Sequence, residues 1–201
     1  MNVTVIDYKA GNLTSVVKAL RHLGAEVTVT DGPDPLGEAE RIILPGVGHF
    51  AATRRLDETG LTPAIRGAIS RGIPFLGICV GMQWLYAGST EAPEQLGLGY
   101  LPETIERFPE GNEKVPHVGW NQIVPNSASR LLAGIRSEEF AYFTHSWRAP
   151  ITSGTAATTE YIQPFASAVE DRNVFGVQFH PEKSGETGLK ILKNFLELQP
   201  C

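Results

Sequence analysis

Ile73-Pro74-Phe75-Leu76-Gly77-Ile78-Cys79-Val80-Gly81-Met82-Gln83 is a short apolar run, then Gly-x-Cys-x-Gly, then a segment able to start a helix. The run follows the break at Gly72 and is only a few residues long, so it predicts a buried strand. Residues 82–85 predict a helix. A strand that turns at once into a helix around one nucleophilic residue is a nucleophile elbow. Gly77 and Gly81 let strand and helix approach while the residue between them takes a strained turn. That turn lifts the Cys79 sulfur out of the sheet. It also sets it at a helix N-terminus, where the dipole and N–H groups favour a thiolate. The Val80 N–H then points where an oxyanion forms. From these residues alone, a small buried cysteine between packing glycines is the alternative.

The segments before the elbow alternate in type. Residues 3–8 predict a strand, and Leu13, Val16, Val17, Leu20 and Leu23 fall on one helical face. Asn12 is placed to cap that helix and Gly24 to close it. Residues 25–30 and 41–44 predict two more strands, and residues 50 onward and 62–71 predict helical stretches. This βαβ pattern with short links predicts a parallel, doubly wound sheet. Beyond the elbow the chain changes character. Residues 98–108, 114–124 and 140–148 predict strands, with a turn at Pro109-Glu110-Gly111-Asn112 and a short helix over 129–135. Residues 165–170 and 174–179 predict a hairpin about Asp171-Arg172-Asn173, and residues 187–198 a closing helix. The expected fold is therefore α/β, a mixed and mostly parallel sheet flanked by helices, with antiparallel additions in the second half. One domain is expected over residues 1–201.

Composition narrows the function classes. With 42% hydrophobic and 19% charged residues and a net charge of −5, the chain has an ordinary globular composition. The acidic balance and the lack of a basic cluster argue against nucleic acid as a main partner. No uninterrupted apolar run reaches membrane-spanning length, and the first residues carry no basic n-region, so a cytoplasmic protein without membrane contact is expected. Cys79 and Cys201 are the two cysteines. Both are expected as free thiols in a reducing compartment.

Two glycine-rich and histidine-rich segments bear on chemistry. Gly46-x-Gly48-x-x-Ala51 after a strand matches a loose dinucleotide fingerprint. The next strand ends in the elbow and not in the acid that fingerprint requires, so no cofactor is expected. A loop of backbone N–H groups from Val47 and Gly48, supplying an oxyanion donor beside Cys79, fits better; an ordinary strand-to-helix turn is the other reading. Val177-Gln178-Phe179-His180-Pro181-Glu182-Lys183-Ser184 ends the last strand. A cysteine nucleophile needs a base, and the base needs an orienting group. In extended backbone His180 and Glu182 lie on one side, and Pro181 stiffens the link. The strand carrying His180 must then lie beside the one carrying Cys79. The five histidines show no metal-ligand spacing, and no metal is expected.

Gly77-Ile78-Cys79-Val80-Gly81-Met82-Gln83 with His180-Pro181-Glu182 resembles the class I, triad-type glutamine amidotransferases. Asp7-Tyr8-Lys9-Ala10-Gly11-Asn12-Leu13, Leu44-Pro45-Gly46-Val47-Gly48, Pro116-His117-Val118-Gly119-Trp120-Asn121 and Tyr142-Phe143-Thr144-His145-Ser146 extend the likeness over nearly the whole length. They are similar to the glutaminase subunits of imidazole glycerol phosphate synthases. The resemblance implies Cys79 as nucleophile, His180 as base and acid, Glu182 as its orienting group, and Val47, Gly48 and Val80 at the oxyanion hole. It implies Gln83, Glu91, His145, Ser146 and Trp147 at the glutamine substrate. Asn12, Trp120, Tyr142 and Lys183 match positions at the interface with a separate (β/α)8 cyclase subunit. That partner, in a heterodimer, uses the ammonia to make imidazole glycerol phosphate and AICAR in histidine biosynthesis. Lys9 and Trp147 depart from the residues common in the family, Gly and Tyr.

Overall fold

The computed structural model describes residues 1–111 and 113–199. Asn112 of the expected turn lies outside them, as do Pro200 and Cys201, so the expectation of a free Cys201 thiol is not addressed. In chain order the elements are β1 (Asn2–Ile6), α1 (Leu13–His22), β2 (Glu26–Thr30), β3 (Ile42–Gly46), α2 (Arg54–Glu58), α3 (Leu61–Ser70), β4 (Phe75–Cys79), α4 (Val80–Gln83) and β5 (Tyr86–Ser89). They continue as β6 (Leu101–Arg107), β7 (His117–Gln122), β8 (Val124–Pro125), β9 (Phe140–His145), β10 (Trp147–Arg148), β11 (Thr155–Tyr161), β12 (Gln163–Asp171), β13 (Val174–Val177) and α5 (Gly185–Glu197).

An eight-stranded sheet runs in the order β2-β1-β3-β4-β13-β12-β11-β8. The first five are mutually parallel, and β12, β11 and β8 add antiparallel at one side. The side-chain alternation of the strands sorts two cores. Val3, Val5, Ile43, Leu76 and Ile78 face α1 and α5, meeting Val16, Leu20, Ile191, Leu192 and Phe195. Ile6, Ile42, Leu44 and Phe75 face the other way, onto Leu61, Ile65 and Ala68 of α3. β4 is buried on both faces along its whole length, which is why it reads as a continuous apolar run. A two-stranded antiparallel ribbon, β7 with β9, lies apart from the sheet.

Several expected elements differ in detail. The helix after the elbow is only Val80–Gln83, because the chain must turn back at once into β5. Residues 129–135 form successive turns and no regular helix. The stretch 140–148 divides into β9 and β10, which pair with different partners. β11 is absent from the sequence expectation: its Thr-rich segment pairs with β12 through a register shift that blurs the two-residue period. Asn12 does not cap α1 with its side chain. It sits at φ 60° and turns that side chain elsewhere.

Candidate active site

Cys79 closes β4 with φ 54° and ψ −109°. A residue with a side chain pays about 1–3 kcal/mol for such a conformation, so the surroundings must enforce it. They do so through Gly77 and Gly81. A Cβ on Gly81 would run into the Leu44 carbonyl, and one on Gly77 into the backbone of Gly81. The glycines thus allow α4 to sit directly on β3 and β4. With four residues α4 carries only a small dipole, so the expected dipole support for a thiolate is weaker than the motif implies.

β13 pairs parallel with β4, Val177 opposite Ile78, so both strands deliver their C-terminal ends to one sheet edge. His180 follows three residues on. Its Nδ1 lies 2.8 Å from Glu182 Oε1, and both side chains are fully buried. The backbone between them is not extended as the sequence suggests. Pro181–Lys183 form a 3-10 turn, started by proline and closed by Lys183 N–H donating to the His180 carbonyl at 3.0 Å. The Asn12 amide donates to the same Glu182 Oε1, its Nδ2 lying 3.4 Å from His180 Nδ1. His180 Nε2 has no nitrogen or oxygen partner among the described residues, and the group beside it is the Cys79 sulfur.

Burial on its own lowers the basicity of His180. The neighbouring Cys79 sulfur and Glu182 carboxylate outweigh it and raise the imidazole to about 10. At neutral pH His180 is then imidazolium, one N–H directed at Glu182 and the other facing the sulfur. Its stabilising contribution is complete below about pH 6.5 and is lost as the pH rises through about 10.

A cavity of about 270 Å³ opens over the sulfur. Val47, Gly48, Val80, Gln83, Glu91, His145, Ser146 and Trp147 line it with Cys79, so the expected oxyanion and substrate residues are brought to one place. Pro116 and Thr144 also line it and were not anticipated. Glu91 Oε2 is held by the Phe50 N–H at 2.8 Å. Gln83 Nε2 donates to the Trp147 carbonyl and to Gln178 Oε1, both at 3.1 Å, leaving Oε1 as its remaining polar atom. The Val47 N–H donates to the Ala10 carbonyl at 3.1 Å and so is committed away from any oxyanion. Gly48, at φ 96° with open space at its Cβ position, makes a reorientation of the next peptide, Val47–Gly48, cheap, and that peptide carries the Gly48 N–H.

The four residues matched to a partner surface lie close to the same edge. Trp120 stands opposite Tyr142 in the ribbon, ring centroids 6.1 Å apart, and Lys183 Nζ lies 5.8 Å from the Tyr142 ring centroid. His180 N–H donates to the Tyr142 carbonyl at 2.9 Å, which ties the ribbon to the His180 segment. Val118, Trp120 and Phe140 are exposed on its outer face. Lys9 adopts φ 66°, a conformation that costs glycine nothing, and is held there by contacts with Asp7.

His117 and His145 are buried and joined, Nδ1 to Nε2, at 3.2 Å. Burial holds both neutral, His117 pushed down to about 4 and His145 to about 3. An unfolded histidine titrates near 6.5, so between there and those values the unfolded chain binds protons that the native chain refuses. The contribution of these two histidines is therefore full above pH 6.5 and falls on acidification, with a slope of up to about 1.4 kcal/mol per pH unit for each histidine. Urea unfolding at stepped pH measures this. His117→Phe flattens the acid limb relative to wild type, and an unchanged limb would sink the assignment.

Among the described residues no group of three or more His, Cys, Asp or Glu could hold a metal ion, and no helix is long and apolar enough to cross a membrane. Cys79 is a free thiol. Sequence reasoning missed Gln178, whose Nε2 lies 3.7 Å from the Cys79 sulfur. The available signal was a glutamine inside an apolar run, two residues before His180.

The family model for class I glutamine amidotransferases matches residues 4–198. A protein of Methanothermobacter thermautotrophicus named imidazole glycerol phosphate synthase subunit HisH is 45% identical over 98% of both chains. A Moorella thermoacetica protein of the same name is 46% identical over 98% of this chain and 94% of its own. The chain belongs to the HisH branch of the class I glutamine amidotransferases. Among solved structures, a glutamine amidotransferase aligns with TM-score 0.77 at 22% identity over 97% of each chain. The PurLQS structure from Thermotoga maritima aligns with TM-score 0.75 at 20% identity, again over 97% of each chain. At those identities the structures speak for the fold alone.

Proposed function

We propose that this chain is a single glutaminase domain that hydrolyses glutamine and passes the ammonia to a cyclase subunit making imidazole glycerol phosphate, as a heterodimer in the cytoplasm. The observation that carries the reading is the parallel pairing of β4 with β13, which sets Cys79 and His180 at one edge with Glu182 behind the imidazole. The Cys79 thiolate attacks the side-chain carbonyl carbon of glutamine, and the oxygen takes the negative charge. Val80 N–H and a donor from the Val47-Gly48 segment hold that oxyanion. The carbon–nitrogen bond then breaks, His180 gives its Nε2 proton to the leaving nitrogen, and ammonia departs. Neutral His180 next takes a proton from water, whose oxygen attacks the thioester. Cleavage of the carbon–sulfur bond releases glutamate and restores the thiolate. Gln83, Glu91 and the His145-Ser146-Trp147 segment hold the amino-acid end of the substrate.

The partner half of the reading rests on chemistry and on the outer face of the β7–β9 ribbon. Ammonia in water at neutral pH is mostly protonated and no longer a nucleophile, so a glutaminase needs a docked acceptor. Val118, Trp120 and Phe140 present the apolar surface such an acceptor would cover, with Asn12, Tyr142 and Lys183 at its triad side. The Val47 N–H commitment to Ala10 supports a low basal rate until docking turns the adjacent Val47–Gly48 peptide and offers the Gly48 N–H. Glutamate release by the isolated chain is expected to be about 100-fold or more below that of the complex, the worth of one oxyanion donor. Trp120→Ala is expected to weaken docking about 30-fold, as for a central aromatic anchor. The test measures glutamate release against cyclase concentration, with the cyclase's nucleotide present. Equal rates with and without the cyclase would overturn the partner reading.

A further inference from the structure

A continuous set of hydrogen bonds leads from the surface ribbon to the nucleophile. Asn121 Nδ2 lies 3.3 Å from His117 Nε2, His117 Nδ1 lies 3.2 Å from His145 Nε2, and His145 Nδ1 lies 2.8 Å from the Trp147 carbonyl. The same carbonyl accepts from Gln83 Nε2, Gln83 Nε2 also donates to Gln178 Oε1, and Gln178 Nε2 lies 3.7 Å from the Cys79 sulfur. The direction of every bond follows from atoms with a single role. A carbonyl only accepts, so His145 carries its proton on Nδ1 and its Nε2 must accept. His117 therefore carries its proton on Nδ1 as well, and its Nε2 accepts from Asn121. At that end the Asn121 amide is oriented independently, because Nδ2 also donates to the Glu160 carbonyl at 2.9 Å and Oδ1 accepts from Gln122 N–H at 2.8 Å. At the other end the Trp147 carbonyl fixes Gln83, which fixes Gln178, which leaves an N–H and not an oxygen facing the sulfur.

We propose that Gln178 is a positioning residue that holds an N–H donor on the Cys79 thiolate, and that the chain through His145 and His117 to Asn121 sets its orientation. The proposal rests on the reading of Cys79 as the nucleophile. The chain moves no proton, since a carbonyl and two amides interrupt it. It transmits position. Its members are rigid enough to do so: the His117 ring is stacked between Phe143 and Tyr161, with centroids 4.8 Å and 3.9 Å away. Asn121 and His117 belong to β7, whose outer face carries Trp120. A partner docked on that face is thereby linked to the donor that stabilises the thiolate. A hydrogen bond to a charged acceptor is stronger than one to a neutral acceptor, so the Gln178 donor favours the thiolate over the thiol.

The test uses the full chain carrying Cys201→Ser, so that Cys79 is its one thiol. The rate of alkylation by iodoacetamide is followed against pH, which reads thiolate formation without any glutaminase assay. The ionisable groups acting on Cys79, namely His180, Tyr8 and, behind His180, Glu182, are the same in wild type and variants. Gln178→Met keeps the bulk and removes the donor, and is expected to raise the alkylation midpoint by about one pH unit. Gln178→Glu raises it further, by placing an acceptor and a charge there. His117→Phe gives a smaller shift in the same direction, and His117→Gln, which can donate and accept, restores most of it. An unmoved midpoint in Gln178→Met overturns the positioning role. A shift there with none in His117→Phe overturns the link to the ribbon. Nitrogen NMR of the wild-type histidines decides the matter even where a variant fails to fold: both His117 and His145 are expected as Nδ1–H tautomers. An Nε2–H proton on either reverses the chain and ends the proposal. Failure of wild-type Cys79 to react at any pH would instead strike the nucleophile reading.

Discussion

Cys79→Ala is expected to lower glutamine hydrolysis by about 10⁴-fold or more, with or without the cyclase. The size follows from the kind of group removed. Among the described residues no other thiol lines the cavity, and His180 without the sulfur has only water to activate. The variant is expected to keep its fold. Alanine has the same Cβ, so it meets the same strain at φ 54° as cysteine, and it loses only one buried sulfur. Its thermal unfolding is expected to lie close to wild type, and its affinity for the cyclase to be unchanged. Retained docking with lost hydrolysis separates a catalytic cysteine from a residue that merely packs. Hydrolysis above about one hundredth of the wild-type rate would show that the thioester route is wrong.

The second large effect falls on stability. Gly81→Ala is expected to cost about 3–5 kcal/mol, enough to consume much of a typical domain's margin. The added methyl would collide with the Leu44 carbonyl, which is main chain of a central strand and has nowhere to go. Either α4 lifts from the sheet and carries Cys79 with it, or β3 shifts against β4. The control is Gly24→Ala. That position has φ 80° and open space, so only the backbone preference is lost, about 1 kcal/mol. Urea unfolding of both variants makes the comparison. A loss at Gly81 no greater than at Gly24 would mean that the close approach of α4 to β3 is not what holds the elbow.

The first half of the chain was legible because its signals are local. β1, β3 and β4 are short, largely apolar runs, β2 is a short stretch of alternating valine and threonine, and α1 shows its buried stripe at helical spacing. The second half was less legible because its strands depend on distant partners. β11 exists through pairing with β12 and β8, and its threonines carry little two-residue alternation. The short helix expected at 129–135 has the residues for one, yet Ser129 and Arg130 are drawn to Glu170, which holds the segment in turns.

By itself the sequence determined which groups are the candidates to react. A cysteine between two glycines at a strand end, and a histidine followed by proline and glutamate at another, state their chemistry through residue type and spacing alone. Tertiary structure decided how those groups stand to one another. It placed β13 against β4, turned Asn12 away from α1 and onto Glu182, committed the Val47 N–H to Ala10, and ran the hydrogen-bond chain from Asn121 to the sulfur. The reason is physical. Residue type sets what a side chain can donate or accept, but a buried polar group is satisfied by whichever partner the fold brings within about 3 Å. Cys79 and Gln178 are 99 residues apart in the chain, and only the packed sheet makes them neighbours.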